Sequence, residues 1–237
     1  MNKREYHVSF GLRLRRFILK TLARLVFHVL GNIKVTGREN IPIGQPYVVA
    51  INHISIFDPP FALAFWPTTL EAVGAANVFD KPFQGQLLEL YGVIPVHRGE
   101  YDRELIEIML AMLRSGFPLM IAPEGGRSHA TAMRPAKPGV AYVLDEARVP
   151  ILPVGIVGTT GDFMKDGLSF HRRHILELRI GKTFTLPPIE GRGEARRAAR
   201  QHNADVVMQH IAGLLPPEYR GVYADSVIFP SNSIKTT

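Results

Sequence analysis

The chain has 237 residues, 46% of them hydrophobic, which is enough for one sizeable α/β domain but not for two full ones. It contains no cysteine, which excludes a disulfide framework, a thiolate zinc site and a cysteine nucleophile. Seven basic side chains and one acidic side chain fall in residues 1–30, whereas the rest of the chain carries 21 basic and 20 acidic ones. A basic protein can bind nucleic acid or an anionic membrane, and charge confined to one segment favours the membrane.

The first predicted element is a helix over Phe10–Leu30. Apolar side chains cover most of it, and one face carries the cations Arg13, Arg16, Lys20 and Arg24 at helical spacing. Its longest uncharged stretch, 25–32, is far below the ~20 apolar residues of a spanning helix. We therefore predict an interfacial helix whose four cations contact anionic lipid. The alternative is a helix packed on the protein's own core, with a solvated basic face.

Strands and helices alternate after this segment. Ile33–Gly37 is predicted as a short strand or turn, and apolar runs predict buried strands at 47–51, 69–75, 92–97, 117–122, 150–157 and 175–180. Helices are predicted from Pro59 onward and over 82–91, 101–113, 139–148 and 194–215. The alternation predicts an α/β fold with a mostly parallel central sheet flanked by helices. The predicted organisation is an amphipathic helix (1–31), an α/β domain (32–229) and a loose tail (230–237).

A histidine and an aspartate follow the first buried strand. His53 comes directly after residues 47–51, and Asp58 precedes two prolines at the start of a predicted helix. Ligands of open α/β sheets bind at the carboxyl ends of the strands. The carboxylate can orient the imidazole and stabilise its cation, which leaves the other ring nitrogen as a general base. The alternative is that Asp58 only caps the helix and His53 is a loop residue.

Two more predicted strands end in polar groups. Arg98 follows residues 92–97, and the run Pro-Glu-Gly-Gly-Arg-Ser follows residues 117–122. Consecutive glycines allow backbone amides to approach a ligand, and an arginine fork suits phosphate. The candidate acceptor-binding residues are Arg98, Glu124, Gly125, Gly126, Arg127 and Ser128, with Glu124 expected to orient Arg127 or a glycerol hydroxyl. No set of histidines and carboxylates has metal-ligand spacing, so neither a metal nor another cofactor is predicted.

Four blocks resemble those of the glycerolipid acyltransferases, the lysophosphatidate acyltransferase family. They are Asn52-His53-(four residues)-Asp58, Gly92 to Arg98, Pro123 to Ser128 and Val149 to Val154, in the family's order. The third block is usually Phe-Pro-Glu-Gly-Thr-Arg-Ser, and here Gly126 replaces threonine and Ala122 replaces the aromatic residue. Lys137, just after this block, is similar to a family position near the phosphate.

The resemblance implies an O-acyltransferase that uses acyl-CoA or acyl-carrier protein as co-substrate and a lysophospholipid as acceptor. The expected reaction converts 1-acylglycerol 3-phosphate to phosphatidic acid, with His53 and Asp58 as the catalytic pair. The expected location is peripheral or monotopic, on the cytoplasmic face of a membrane. Gly126 leaves open another acceptor, such as a glycolipid, an aminolipid or glycerol 3-phosphate. A non-catalytic lipid-binding protein is a further alternative, and the near-neutral residues 31–237 argue against a nucleic-acid binder.

Overall fold

The structure is a computed structural model that describes residues 5–97, 102–128, 130–169 and 172–229. In those ranges the strands are β1 (Gly31–Thr36), β2 (Val48–Ile51), β3 (Glu71–Ala75), β4 (Ile94–Val96), β5 (Leu119–Ile121), β6 (Ile151–Val157) and β7 (His174–Ile180). The helices are α1 (Phe10–Leu30), α2 (Asp58–Phe65), α3 (Ala76–Phe79), α4 (Gln84–Tyr91), α5 (Arg103–Arg114), α6 (Gly139–Ala147), α7 (Asp162–Leu168) and α8 (Gly193–Ala212). Short 3₁₀ turns lie at Arg38–Asn40, Pro217–Tyr219 and Gly221–Tyr223.

The strands form one sheet in the order β1-β7-β6-β2-β5-β3-β4. Neighbouring strands are parallel except β6 and β7, so β1 and β7 run opposite to the other five. The predicted mostly parallel sheet is therefore confirmed. Because β2 lies between β6 and β5, the carboxyl ends of these three strands meet at one edge of the sheet. Any polar residues that follow them are brought together there.

Helices cover both faces of the sheet. One apolar cluster joins α5, α6 and α8 to the sheet, and a second joins α1, α2, α4 and α7 to its other face. Three features differ from the sequence prediction. The chain after β3 forms the short α3, the uncertain segment at 33–37 is the six-residue edge strand β1, and α7 was missed. Helix α7 is short, and Gly167 interrupts its apolar pattern. Glycine is needed at this position because a Cβ would lie 2.6 Å from the Leu30 carbonyl oxygen.

Helix α1 has the predicted bounds, and Ser9 caps it by accepting a hydrogen bond from the Leu12 amide. Its cations, however, do not form a lipid-facing or solvated row. Arg16 is fully buried and pairs with Glu71, with Nη1–Oε1 and Nη2–Oε2 distances of 2.6 and 2.8 Å. The prediction that Arg16 contacts lipid is therefore wrong, because a buried carboxylate at the start of β3 requires a cation.

Two other cations of α1 also turn toward the domain. Lys20 donates to the carbonyls of Trp66 and Thr68, at 3.0 and 2.8 Å, and Arg24 donates to the carbonyl of Ala64. These carbonyls lie at and just beyond the end of α2, where the last carbonyls lack helical partners and attract cations. Lys20 and Arg24 thus bind the end of α2, and for the half-buried Lys20 this is contrary to the predicted contact with lipid head groups. Arg13 and Arg24 are exposed, so for these two residues the contact stays a prediction.

The side of α1 that faces away from the domain is mostly apolar, with Arg15 also exposed on it. It exposes Phe10, Leu14, Phe17, Ile18, Leu22, Leu25, Val26 and Val29. Within the described ranges, no helix combines the length and hydropathy needed to cross a bilayer. Phe27 and Leu30 of α1 are buried in the same core as α2, so the division into a helix at 1–31 and a domain at 32–229 stays a prediction. The predicted tail at 230–237 lies outside the described residues.

Candidate active site

The candidate site begins where β2 ends. Asn52, fully buried, bridges β2 to β6: its side-chain amide donates to the Ile156 carbonyl (3.0 Å) and its oxygen accepts from the Ile156 amide (2.7 Å). A side chain bonded in both directions to one residue fixes the spacing of the two strand ends. The chain leaving β2 therefore turns at a defined position, and the next residue is His53.

The imidazole of His53 and the carboxylate of Asp58 form the predicted pair. Nδ1 lies 3.2 Å from Oδ2, the histidine side chain is 17% exposed and the carboxylate is fully buried. Oδ2 also accepts from the backbone amides of Ile54 and Ser55, at 2.7 and 2.6 Å. Because an ionised carboxylate only accepts, Nδ1 carries the proton and Nε2 is left with its lone pair. Nε2 has no hydrogen-bond partner among the described residues.

Thr159 completes the set of donors to Asp58. Its hydroxyl donates to Oδ1, and both side chains are fully buried. The preceding Gly158 has a φ of +87° and donates its amide to the Tyr219 hydroxyl at 3.1 Å. Sequence analysis missed Thr159, although a polar residue just past a buried strand is the same signal that identified His53. The carboxylate is thus held by four donors from the ends of two adjacent strands.

Glu124, from the loop after β5, is a structural link within the site. It is fully buried, and its Oε1 accepts from the backbone amide of His53 (2.8 Å) while its Oε2 accepts from that of Arg134 (3.0 Å). Burial raises the pKa of Glu124, and the two amide hydrogen bonds oppose that rise. Each oxygen of Glu124 holds one backbone amide, and no hydrogen bond joins it to Arg127 among the described residues. The expectation that Glu124 orients Arg127 or a glycerol hydroxyl stays a prediction.

The glycine-containing loop curls against His53. The amide of Ser128 donates to the His53 carbonyl at 2.7 Å, and Gly125 has a φ of +65°, which favours glycine. The side chain of Lys137 packs against this glycine, since a Cβ at position 125 would lie 2.8 Å from Cγ of Lys137. Arg127 is half-buried and has no hydrogen-bond partner in the described part of the chain. Gly126 and Ser128 are buried.

The structure therefore brings together most of the predicted acceptor-binding residues around His53. Arg98 lies outside the described residues, so its predicted contact with phosphate stays a prediction. Sequence analysis also missed Arg134, whose side chain donates from Nη2 to the Gly126 carbonyl at 2.9 Å. No local pattern marks this arginine, because it lies in a loop between Ser128 and α6 and reaches the site only through the tertiary fold.

Comparison with known proteins agrees with this arrangement. The sequence model of the family described as Acyltransferase matches residues 32–157. The chain is 26% identical over 164 residues to mouse 1-acyl-sn-glycerol-3-phosphate acyltransferase alpha, covering 68% of this chain and 56% of that protein. It is 28% identical over 192 residues to a Chlamydomonas reinhardtii 1-acyl-sn-glycerol-3-phosphate acyltransferase, covering 80% and 54% respectively. The chain thus spans about half the length of these curated relatives.

A solved structure has a similar fold. The 1-acyl-sn-glycerophosphate (LPA) acyltransferase PlsC from Thermotoga maritima matches with a TM-score of 0.57 and 20% sequence identity. The match covers 82% of this chain and 80% of that one. At this level of identity the match supports the fold alone.

Proposed function

Because the chain belongs to the acyltransferase family, we propose that it transfers a fatty acyl group to the free hydroxyl of a lysophospholipid. The donor is a thioester, acyl-CoA or acyl-carrier protein, and the acceptor is 1-acylglycerol 3-phosphate, giving phosphatidic acid. The observation that carries this proposal is His53, whose Nδ1 is held by Asp58 while Nε2 has no partner in the part of the chain that the structure describes. The names of the similar proteins support the choice of acceptor.

The proposed reaction is a single direct transfer. Nε2 of His53 takes the proton of the acceptor hydroxyl while that oxygen attacks the thioester carbonyl carbon. The tetrahedral intermediate collapses, the carbon–sulfur bond breaks, and the leaving thiolate takes the proton back from Nε2. The buried charge of Asp58 stabilises the imidazolium that exists between these steps. The products are an ester and a free thiol, and the protein is unchanged.

The acceptor head group is placed on the loop after β5. Arg127 and Lys137 supply positive charge beside the Gly125 turn, and the Ser128 amide fixes this loop to the backbone of His53. A phosphate held by the loop would leave the acceptor hydroxyl near the imidazole. Without threonine at position 126, the loop lacks one hydroxyl contact, so a different phosphorylated acceptor is the second candidate.

The test is product identification. The purified protein is incubated with acyl-CoA or acyl-carrier protein and a panel of lysolipids, and the products are identified by mass. We expect phosphatidic acid, and we expect His53→Ala to lower turnover by about 100- to 10,000-fold with unchanged circular dichroism. The exposed His202 on α8 gives a matched control, and His202→Ala should keep full activity. Near-normal activity of His53→Ala would refute the mechanism, and no product from any acceptor would favour a lipid-binding protein.

We further propose that α1 contacts the bilayer with its apolar side rather than with its cations. The support is that Leu14, Leu22 and Leu25 are exposed while Arg16 and Lys20 face the domain. Burying each apolar side chain in lipid would contribute about 1.5–3 kcal/mol. This mode predicts a weaker salt dependence than four free cations would give, because Arg16 and Lys20 are already held by the protein, whereas Arg13 and Arg24 stay exposed to screening.

Liposome flotation tests this orientation. Leu22→Asn combined with Leu25→Asn should reduce binding to vesicles by tenfold or more, with little change in folding stability, because both side chains are already exposed. Val222→Asn is the control: it replaces a 61% exposed valine in the turn that packs against α8, on the other side of the sheet. Binding that falls steeply with salt but not with the leucine substitutions would contradict the proposed orientation.

A further inference from the structure

The loop between Ser128 and α6 places a second guanidinium beside the acceptor loop. The backbone amide of Arg134 donates to Oε2 of Glu124 (3.0 Å), and the other oxygen of this carboxylate holds the amide of His53. The Arg134 side chain then reaches the Gly126 carbonyl, with Nη2 at 2.9 Å. One buried carboxylate thus connects the backbone of Arg134 to that of the candidate general base.

Most donors of this guanidinium are unused. Arginine has five N–H donors, and within the described ranges Arg134 uses one of them, on Nη2. Its Nε is buried without a partner, which is uncommon for a buried polar group. Arg196 and Arg200 of α8 also have a buried, unpartnered Nε. An unused donor alone therefore does not define a site, and the position of Arg134 on the acceptor loop sets it apart.

The charges around the loop point to an anion. Arg127 has no hydrogen-bond partner among the described residues, and the stem of Lys137 lies across Gly125. Because Arg134 bonds the Gly126 carbonyl, the three cations Arg127, Arg134 and Lys137 all lie at residues 125–127. The nearby carboxylate of Glu124 accepts one backbone amide on each oxygen and forms no ion pair with these cations among the described residues. Positive charge is thus in excess at this loop, as a phosphate dianion requires.

We propose that Arg134 binds the acceptor head group together with Arg127 and determines a preference for phosphomonoesters over phosphodiesters and uncharged acceptors. This inference rests on the proposed acyltransferase function. Two planar guanidinium groups can donate parallel hydrogen bonds to the oxygens of a dianion, whereas a monoanionic diester offers fewer such oxygens. The Gly126 carbonyl aligns the Arg134 fork, and the other N–H groups of that fork are left for the ligand.

The test compares acceptors on the full-length protein. Steady-state rates are measured with 1-acylglycerol 3-phosphate, lysophosphatidylcholine and 1-acylglycerol for the wild type, Arg134→Gln and Arg134→Lys. For Arg134→Gln we expect KM for the phosphomonoester to rise about 10- to 100-fold, the range for charge-assisted hydrogen bonds, with kcat within a factor of two to three. Values for the other two acceptors should not change. Arg134→Lys should recover part of the loss, because it keeps the charge but not the fork.

A pH series separates ligand binding from a purely structural brace. The second ionisation of a phosphomonoester lies near pH 6, so the wild-type KM should fall as the pH rises from about 5.5 to 7.5. In Arg134→Gln this fall should be weaker, because the cation that favours the dianion is absent. The control is Arg38→Gln, an equal charge change at an exposed position in the connection that enters β2 from the opposite end of the sheet.

A direct measurement of ligand binding distinguishes a failure of the proposed role of Arg134 from a failure of the proposed acyltransferase function. Calorimetric titration of His53→Ala protein with glycerol 3-phosphate should show binding that Arg134→Gln weakens at least tenfold and Arg38→Gln leaves unchanged. An equal loss of kcat with all three acceptors, or unchanged KM and unchanged binding, would overturn the role of Arg134. A wild-type protein that binds glycerol 3-phosphate through Arg134 but forms no phosphatidic acid would overturn the proposed function and leave only the phosphate-binding role of Arg134 standing.

Discussion

Two fully buried carboxylates, Glu71 and Asp58, are stabilised in different ways. Glu71 receives two N–H groups of Arg16 and the hydroxyl of Tyr6, so a full positive charge lies against it. Asp58 receives two backbone amides and a threonine hydroxyl, which are dipoles without net charge. A carboxylate paired with a permanent cation has its charge neutralised, whereas one held by dipoles still acts on its neighbours. The first arrangement attaches α1 to the start of β3, and the second is suited to stabilise an imidazolium.

Glu124 extends the comparison. It is held by two backbone amides alone, and burial raises its pKa. Among the described residues it forms no ion pair, although the charges of His53 and Arg134 oppose the rise of its pKa, and it links the loops on which these two residues lie. The number and charge of the donors around a buried carboxylate thus distinguish a structural ion pair (Glu71), a link between loops (Glu124) and a catalytic partner (Asp58). This distinction can be tested by removing the donors one at a time.

The largest effect on stability is expected at the Arg16–Glu71 ion pair. Arg16→Met leaves Glu71 buried without a cation, and we expect the free energy of unfolding to fall by about 3–5 kcal/mol. Adding Glu71→Met should recover most of this loss, since replacing both members of a buried ion pair by apolar groups is often neutral. Arg13→Met on the exposed side of α1 is the control and should change stability by less than about 0.5 kcal/mol. Denaturant unfolding measures all three, and equal stability of the two single variants would contradict the comparison.

At the catalytic pair, a charge can be removed with little change in shape. In Asp58→Asn the side-chain oxygen can still accept from Ile54, Ser55 and Nδ1, and the new amide can donate to the Thr159 hydroxyl. We therefore expect normal stability and a fall in kcat of about 10- to 100-fold, the value of a hydrogen bond to a charged group. This loss should be smaller than that of His53→Ala. A variant as inactive as His53→Ala would mean that the tautomer, and not only the charge, had been lost.

Sequence analysis succeeded where the chemistry is local. His53 and Asp58 are five residues apart and span one strand–helix connection, so the strand pattern and the helix-start signal suffice to bring them together. Helix α1 was predicted with the correct bounds for the same reason, because 3.6-residue periodicity is local. The prediction of which face of α1 meets the domain was wrong, because the partner of Arg16 lies 55 residues away at the start of β3.

The missed residues share this property. Thr159 contacts Asp58 across 101 residues of sequence, and Arg134 acquires a role only because the loop before α6 folds back onto Gly126. Periodicity assigns a residue to a face of an element, but the neighbour of that face is set by the strand order. In this sheet β6 lies beside β2, although the two are far apart in the chain. The position of Thr159 follows from that adjacency.

A smaller effect is expected when one donor of Asp58 is removed. Thr159→Val keeps the shape of the side chain and leaves Oδ1 without its hydroxyl donor. We expect kcat to fall about fivefold, corresponding to about 1 kcal/mol for one hydrogen bond, with KM for both substrates unchanged. Thr159→Ser should restore the wild-type rate because it returns the hydroxyl. If the serine variant is as slow as the valine variant, the methyl group and its packing matter, and the donor does not.

The smallest effect concerns Lys20, a cation held by the carbonyls of Trp66 and Thr68, with no carboxylate partner among the described residues. Burial, and then repulsion by Arg24, lowers the pKa of Lys20 from 10.5 to about 8. Between these values the unfolded chain binds one more proton than the native one, so this group makes the free energy of unfolding rise with pH from about 8. In Lys20→Met this contribution disappears, whereas Lys81→Met, at an exposed position, should leave the slope unchanged. Denaturant unfolding between pH 7 and 10 measures the difference, and identical slopes for wild type and Lys20→Met would show that carbonyl dipoles stabilise this half-buried cation as fully as Glu71 stabilises Arg16.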